Sequence, residues 1–341
     1  EEGEAVPSAV VLNLTSDANG LIVFIWQLGP GPDLDNTVVA EVRRKDGTQR
    51  SLTVHSEALP HPDTANRLVI TSGNYQTPYY VSTVLPLPLV VRVVDTTRAG
   101  VNGDTLGAPI SNFPVLMTAY SPSGDGSLNA SAAGEPGGTG RLTALTDKDG
   151  LAAVRWTTGT LTGRPDDLDM LRDNNYVVAV AVFADGSQDS VIFFTTALPQ
   201  TPRAMSVSGA TDLSGTAGRS LNLPTVNVVD QYGNVVAGAA VYFSIGQTPG
   251  PAQLAQTSLS TDIYGNATGV ISQLSTKSGT MKVSAANGSL NGSPINFNIT
   301  VEADAAASIL KAGGDNQTAK SGTAWGSGIK VLVLDQYGNA K

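Results

Sequence analysis

Along residues 241–245 apolar and polar side chains alternate, with Val241, Phe243 and Ile245 on one side and Tyr242 and Ser244 on the other. A period of two is the mark of a β-strand with one face in a core. Val115, Met117 and Ala119 take the same places in an earlier copy. Gly20, Gly150 and Gly265 each close an acidic turn, and the even offsets that follow read Ile22, Phe24, Trp26, then Ala152, Val154, Trp156, then Ala267, Gly269, Ile271. These positions are expected to face the core, with Trp26 and Trp156 at equivalent places. The odd offsets differ between copies. They read Leu21, Val23, Ile25 after Gly20, but Leu151, Ala153, Arg155 and Asn266, Thr268, Val270 in the other two. A strand apolar on both faces calls for cover on both. Asp46-Gly47-Thr48-Gln49 before Leu52 and Val54, and Asp185-Gly186-Ser187-Gln188 before Val191 and Phe193, each predict a hairpin turn feeding a last strand.

The strands recur in blocks. Val-Asn-Val-Val-Asp-Gln-Tyr-Gly-Asn at 226–234 returns as Val-Leu-Val-Leu-Asp-Gln-Tyr-Gly-Asn at 331–339, and a diverged copy begins at Val91 and reaches Asp95. Repetition of this kind means tandem modules. The spacing sets a unit of about 100 residues, enough for seven short strands in an immunoglobulin-like sandwich. Pro-rich or short joins at 59–62, 198–202 and 302–305 divide the chain into a partial unit at 1–59 (a C-terminal half), a unit with insertions at 64–198, a compact unit at 203–302 and a partial unit at 306–341 (an N-terminal half). The expected fold is all-β, tandem immunoglobulin-like β-sandwich domains in an elongated rod.

Composition narrows function. The 341 residues include 37 Gly and 19 Pro and only 14% charged side chains, which fits a turn-rich β protein. A formal charge of -9 offers no basic stripe for phosphates, so nucleic acid is not an expected partner. With no Cys there are no disulfides and no thiolate metal sites. No apolar run reaches the roughly 18 residues that a membrane helix needs. The chain opens on Glu1 and is read as a mature or internal piece.

Val-Asp-Gln-Tyr-Gly-Asn after a β-run, then a Val-x-Phe strand, then Thr-Asp-x-x-Gly-x-Ala resembles the bacterial immunoglobulin-like domains of the invasin/intimin group. Residues 230–234, 241–243 and 261–267 carry the resemblance best. The unit at 64–198 keeps Asp95, Pro109, Asp147 and Gly150 and departs from it by long insertions. The resemblance implies spacer domains of surface adhesins and other extracellular proteins, hence an extracellular or cell-surface location.

Candidate chemistry is sparse. The Asp-x-Asx-Gly turns could hold calcium, but the regularly spaced ligands and distal Glu of a calcium loop are missing, and Asp, Asn and Gly are what tight turns use. Asp166, Asp167 and Asp169, with Asp173, Asn174 and Asn175, form an acidic insertion that reads either as a solvated loop or as a site for a cation or partner. Tyr79 and Tyr80, near Tyr75 and around Pro78, read either as packing at a domain junction or as a sugar- or protein-binding cluster. The Gly-rich stretch 121–140 lacks a phosphate-loop ending and reads as a flexible loop. His55 and His61 stand without Cys or a third His, which makes a zinc site a poor fit. Asn13, Asn129, Asn266, Asn287, Asn291, Asn298 and Asn316 begin glycosylation sequons, largely as a result of composition. No catalytic residue, cofactor or metal is expected.

The leading expectation is therefore a non-enzymatic extracellular stalk or fibre. The terminal half units are either cut from a longer array or completed end to end by another copy, with Leu21, Val23, Ile25, Val331 and Val333 at the interface. The alternatives are an adhesin module that binds a surface protein or glycan through the insertions of the second unit, and an accessory module of a polymer-degrading enzyme.

Overall fold

The computed structural model describes residues 11–24, 35–57, 61–98, 104–130, 138, 140–163 and 174–341. Apart from a single 3-10 turn at Pro62–Thr64, the regular structure of these residues is all β. An antiparallel hairpin of β1 (Asp35–Arg43) and β2 (Gln49–Glu57) comes first. Its turn is the expected one: Asp46 Oδ1 accepts from the Thr48 N–H at 2.9 Å, and Gly47 sits at φ +82°.

The first sandwich contains β3 (Arg67–Ser72), β4 (Gln76–Tyr80), β5 (Leu89–Asp95), β6 (Ala108–Pro109), β7 (Pro114–Tyr120), β8 (Ser127–Ala130), β9 (Arg141–Leu145), β10 (Leu151–Thr157), β11 (Asn175–Val182) and β12 (Gln188–Leu198). One sheet runs β4-β12-β11-β7-β9. The other runs β3-β5-β10-β8, with β6 on β5. The opening stretch is split between sheets, since β3 pairs antiparallel with β5 while β4 pairs parallel with β12. Alternation on facing strands supplies the core: Val91 and Val93, Ala152, Val154 and Trp156, Val177 and Ala179 are all fully buried. The Trp156 indole N–H meets no acceptor among the described residues, so this side chain is held by packing alone.

The second sandwich repeats that plan with β13 (Ala204–Ser208), β14 (Asp212–Thr216), β15 (Leu221–Asn222), β16 (Thr225–Val229), β17 (Ala240–Ile245), β18 (Gln253–Leu254), β19 (Ser258–Ser260), β20 (Asn266–Ala267), β21 (Val270–Gln273), β22 (Gly279–Ala286) and β23 (Ile295–Glu302). Its larger sheet runs β14-β23-β22-β17-β19, the same order with the same single parallel pair. The opposing layer is divided into β13-β16-β20 and β15-β21-β18. Gly269 lies at the division. A Cβ there would come within 2.5 Å of the Phe243 ring, so the strand gives up a side chain to admit the phenyl group. A last hairpin joins β24 (Ala306–Gly313) and β25 (Lys330–Asp335).

The even-offset residues after Gly150 and Gly265 behave as expected, with Ala152, Val154, Trp156, Ala267 and Ile271 buried, but those after Gly20 do not. Ile22 and Phe24 are exposed, and residues 21–24 belong to no strand. Trp26 and Ile25 lie outside the described residues.

Candidate functional site

Five acidic turns share one geometry. Asp17, Asp147, Asp230, Asp262 and Asp335 each use Oδ1 to accept from the backbone N–H two residues on and again four residues on, at 2.8–2.9 Å. The glycine at the fourth place takes positive φ, +74° at Gly150 and +73° at Gly265. A Cβ at Gly150 would also come within 2.7 Å of the Val93 carbonyl. The carboxylate is thus consumed by its own loop, which is the turn reading of these motifs. Thr146 and Thr261, just before two of the turns, lock them to the sandwich. Each buried hydroxyl donates to a carbonyl, Ile110 at 2.7 Å or Val236 at 2.6 Å, and accepts a backbone N–H from Phe113 or Ala239.

Two of the five turns do more. Asp230 and Asp335 are both 2% exposed, and each spends its second oxygen across a module boundary. Asp230 Oδ2 accepts the backbone N–H of Gln200, in the join between the sandwiches, at 2.9 Å. Asp335 Oδ2 accepts the backbone N–H of Asp304, in the next join, at 2.9 Å. The asparagine that ends each motif then reaches back into the preceding sandwich. Asn234 Nδ2 donates to the Thr160 carbonyl and its Oδ1 accepts the Thr162 N–H, both at 2.9 Å. Asn339 Nδ2 donates to the Thr276 carbonyl and its Oδ1 accepts the Ser278 N–H, again both at 2.9 Å. A further donation from each Asn Nδ2 to the partner Asp Oδ2 fixes the amide orientation. The glutamine contributes as well: Gln231 Nε2 donates to Gln200 Oε1, and Gln336 Nε2 donates to Asp304 Oδ2.

The arrangement is a clamp built twice from one sequence motif. Asp ties motif to linker, Asn ties motif to the loop beyond, and the two side chains tie to each other. Both Asn residues are buried, so every polar atom they carry had to find a partner. Tyr337 closes the second joint by packing against the core of the second sandwich and against Gly218, whose φ of +71° and missing side chain leave room for the phenol. Ser82, at φ +57°, stands at the corresponding bend of the first sandwich, donating its N–H to Gly159 as Gly218 donates to Ser275.

Electrostatics favours the second clamp in its ionised form. Burial works against charge on Asp335, but the Asn339 side chain, the backbone N–H groups of Asn339 and Asp304, and that of Tyr337 outweigh it and lower the carboxyl to about 2. Asp304 is lowered too, by the Ala305 N–H first and then by Gln336 and the Arg219 charge.

The upstream copy departs from this design. Asp95 keeps the first turn bond, to the Thr97 N–H at 2.9 Å, but Thr-Thr-Arg follows it in place of Gln-Tyr-Gly-Asn. Arg98 pairs with its Oδ2 at 3.3 Å. The clamp is thus a property of the boundaries at 200–234 and 304–339.

The other candidate residues are dispersed. Asp166, Asp167 and Asp169 lie outside the described residues. Asn175, read with them, is buried and scaffolds the clamp's receiving loop, accepting the Gly159 N–H at 2.8 Å and donating to the Leu161 carbonyl at 3.1 Å. Tyr79 packs against the first core and Tyr80 is exposed. Leu21 and Val23 are exposed outside any strand, whereas Val331 and Val333 lie on β25. His61 caps the 3-10 turn, its Nδ1 accepting from the Asp63 N–H at 3.3 Å. Among the described residues no three potential metal ligands gather. The partners missed by sequence reasoning, Thr160, Thr162, Thr276 and Ser278, act mainly through backbone atoms, which leave no side-chain signature; only the Thr162 hydroxyl adds a long side-chain donation to Asn234 Oδ1, at 3.4 Å.

No family model and no curated protein matches the chain. Among solved structures it is similar to the D00-D0 domain of intimin, at 15% identity over 69% of this chain and 100% of that one, with a TM-score of 0.30. It is also similar to invasin, described as a bacterial integrin-binding protein, at 16% identity over 81% of this chain and 48% of that one, with a TM-score of 0.32. A third similar structure is InvD of Yersinia pseudotuberculosis, at 13% identity over 82% of this chain and 72% of that one, with a TM-score of 0.37.

Proposed function

We propose that the chain is a non-enzymatic spacer, a segment of an extracellular or cell-surface stalk whose work is to hold its ends apart. The observation that carries this is the duplicated clamp. A loose string of modules needs no buried Asp-Asn pair at each boundary, because flexible joins are solvated and unpaired. Here two boundaries spend the same buried side chains, one fixing the first sandwich to the second and the other fixing the second sandwich to the last hairpin. Each sandwich resists bending through its backbone ladders and packed faces, so a fixed joint turns modules into a rod. Small-angle scattering of the chain and of the Asn234→Ala, Asn339→Ala double variant tests it. A spacer requires a longer, better-defined maximum dimension in the parent and a broadened distribution in the variant. Identical profiles with high flexibility in both would defeat the reading.

The terminal hairpins favour end-to-end assembly as a finer form of the same proposal. In β1 and β2 the residues Val42, Leu52 and Val54 are exposed, yet they match buried or half-buried positions of β11 and β12 counted from the shared Asp-Gly turn. Val331 stands where Val226 is fully buried, and is itself 55% exposed. These faces need sheets over them, supplied by further repeats of a longer chain or by another copy. Deleting residues 306–341 separates the two sources. Filaments of the parent chain that vanish on deletion support assembly between copies, and electron micrographs of isolated monomers from the parent exclude it.

A further inference from the structure

The outer face of the sheet β4-β12-β11-β7-β9 is apolar where the matching face of the second sandwich is polar. On β11 the outward residues are Tyr176, Val178, Val180 and Val182, opposite the buried Val177, Ala179 and Ala181. Outward neighbours are Ile192 and Phe194 on β12, Leu116 and Tyr120 on β7, and Leu145 on the edge strand β9. Counted from the parallel edge pair, the second sandwich presents Lys282, Ser284, Asn296, Asn298 and Thr300 on this face. The apolar face is flat and shallowly grooved between Leu116, Thr143 and Val180. Among its described outward residues Arg141 is the one that is charged, and none is acidic.

We infer that this face is a lateral pairing surface, and that its occupant is the same face of a second copy of the chain. Three observations select that occupant. The chain carries a formal charge of -9, so copies repel least where they meet through a surface poor in carboxylates, and the described outward residues of this face carry none. The aromatic rings on it are turned toward each other, Tyr120 on Tyr176 at 4.8 Å and 12° and Tyr75 on Phe194 at 6.0 Å and 21°. Their flat sides are therefore spent within the face, which suits packing against another sheet and not the stacking of a pyranose ring. The area fits as well. Sheet spacing and strand rise give a face of about 24 by about 20 Å, so two copies would bury on the order of 1,000 Å², the low end for a specific contact. Such a pair is weak singly and gains strength when rods with several contacts lie side by side.

Sedimentation of the full chain from about 10 µM to about 1 mM tests this, because contacts of this size are transient. The weight-average mass of the parent is expected to rise toward that of a dimer. Val178→Lys, at the centre of the face, should weaken association at least about tenfold, since it brings two like charges together across the pair. Ser284→Lys, at the matching position of the second sandwich, should leave it unchanged. If Val178→Lys lowers the melting temperature, Val178→Thr replaces it, with a smaller loss expected. A parent that stays monomeric throughout overturns the inference. So does association that survives Val178→Lys and disappears on deleting residues 306–341, which would assign it to the terminal hairpins. Binding of a neutral glycan by the parent that Val178→Lys abolishes, without self-association, would assign the face to a sugar and overturn it too.

Discussion

The two sandwiches share a strand order and much of their cores, with Val91 and Val226, Val93 and Val228, Val115 and Val241, and Ala179 and Ala285 buried at equivalent places, but one cluster at the centre is filled differently. The core of the first contains Met117, Val154 and Trp156, all fully buried. In the second, Phe243 fills the place of Met117, Gly269 that of Val154 and Ile271 that of Trp156. In the second sandwich the large ring on one strand is matched by a missing side chain on the facing one, so Phe243 takes the room that a residue at 269 would need. The turns behave in the opposite way. Thr146 and Thr261 and their acidic loops keep the same atoms in the same roles, because a turn bond needs a particular donor or acceptor at a particular place. A core asks for volume and a turn asks for specific chemistry, and this is why the repeats are visible through their turns.

The largest effect expected from breaking this comparison is at Trp156. Trp156→Ala removes a fully buried indole and should destabilise the first sandwich by about 3–5 kcal/mol. Trp156→Phe should cost clearly less, because the indole N–H has no acceptor to lose. Hydrogen exchange at the core amides of the two sandwiches reports it, with the larger loss of protection in the first. An equal loss in both variants would mean that the N–H is satisfied after all.

Next comes the exchange between cores. Gly269→Val installs the first sandwich's residue in the second and drives it into the Phe243 ring, for a cost of about 1–3 kcal/mol. Adding Phe243→Met, the other half of the exchange, should recover part of that loss. A double variant no more stable than the sum of the single losses would show that the two positions are not coupled.

Much of this was legible in the chain. Alternation placed β7, β10 and β17 and their buried sides, and the Asp-Gly turns placed the hairpins. The clamp was half visible: Asp-Gln-Tyr-Gly-Asn stood out as a repeat and as a turn, but its outward reach did not, because its partners are the carbonyls and N–H groups of Thr160, Thr162, Thr276 and Ser278. Backbone groups are present at every residue, so sequence cannot say which ones will be presented. The apolar outer side of β11 was also hidden, since a run such as Val-Val-Ala-Val-Ala-Val has no polar face to betray which side is covered.

A smaller effect is expected at the first joint. Asn234→Ala deletes the bonds to Thr160 and Thr162 and strips Asp230 Oδ2 of one donor, at a cost of about 1–3 kcal/mol. The loss should fall on the coupling between the sandwiches, so that one shared melting transition separates into two. The same variant made at Asn296, an exposed residue on the outer face of β23, should do neither.

The smallest effect is the pH dependence of the second joint, and it follows from the carboxylate of Asp335. Its folded value of about 2 lies below the ordinary 3.8, so the folded joint holds on to the ionised form longer than the open chain does. The stabilisation is therefore complete above the ordinary value and is lost as pH falls toward 2. Asp304 is depressed in the same direction and adds to the loss over the same window. Between pH 7 and pH 5 neither group changes state, and the joint should be indifferent to pH there. Hydrogen exchange at the Ser278 N–H, which Asn339 accepts, reads the joint directly. Protection, corrected for the intrinsic exchange rate, should stay level down to about pH 4 and then fall in acid. Asn339→Ala should show low protection at every pH. A protection curve that instead breaks near pH 6 would point to a histidine, and the two in this chain, His55 and His61, lie far along the sequence from the joint.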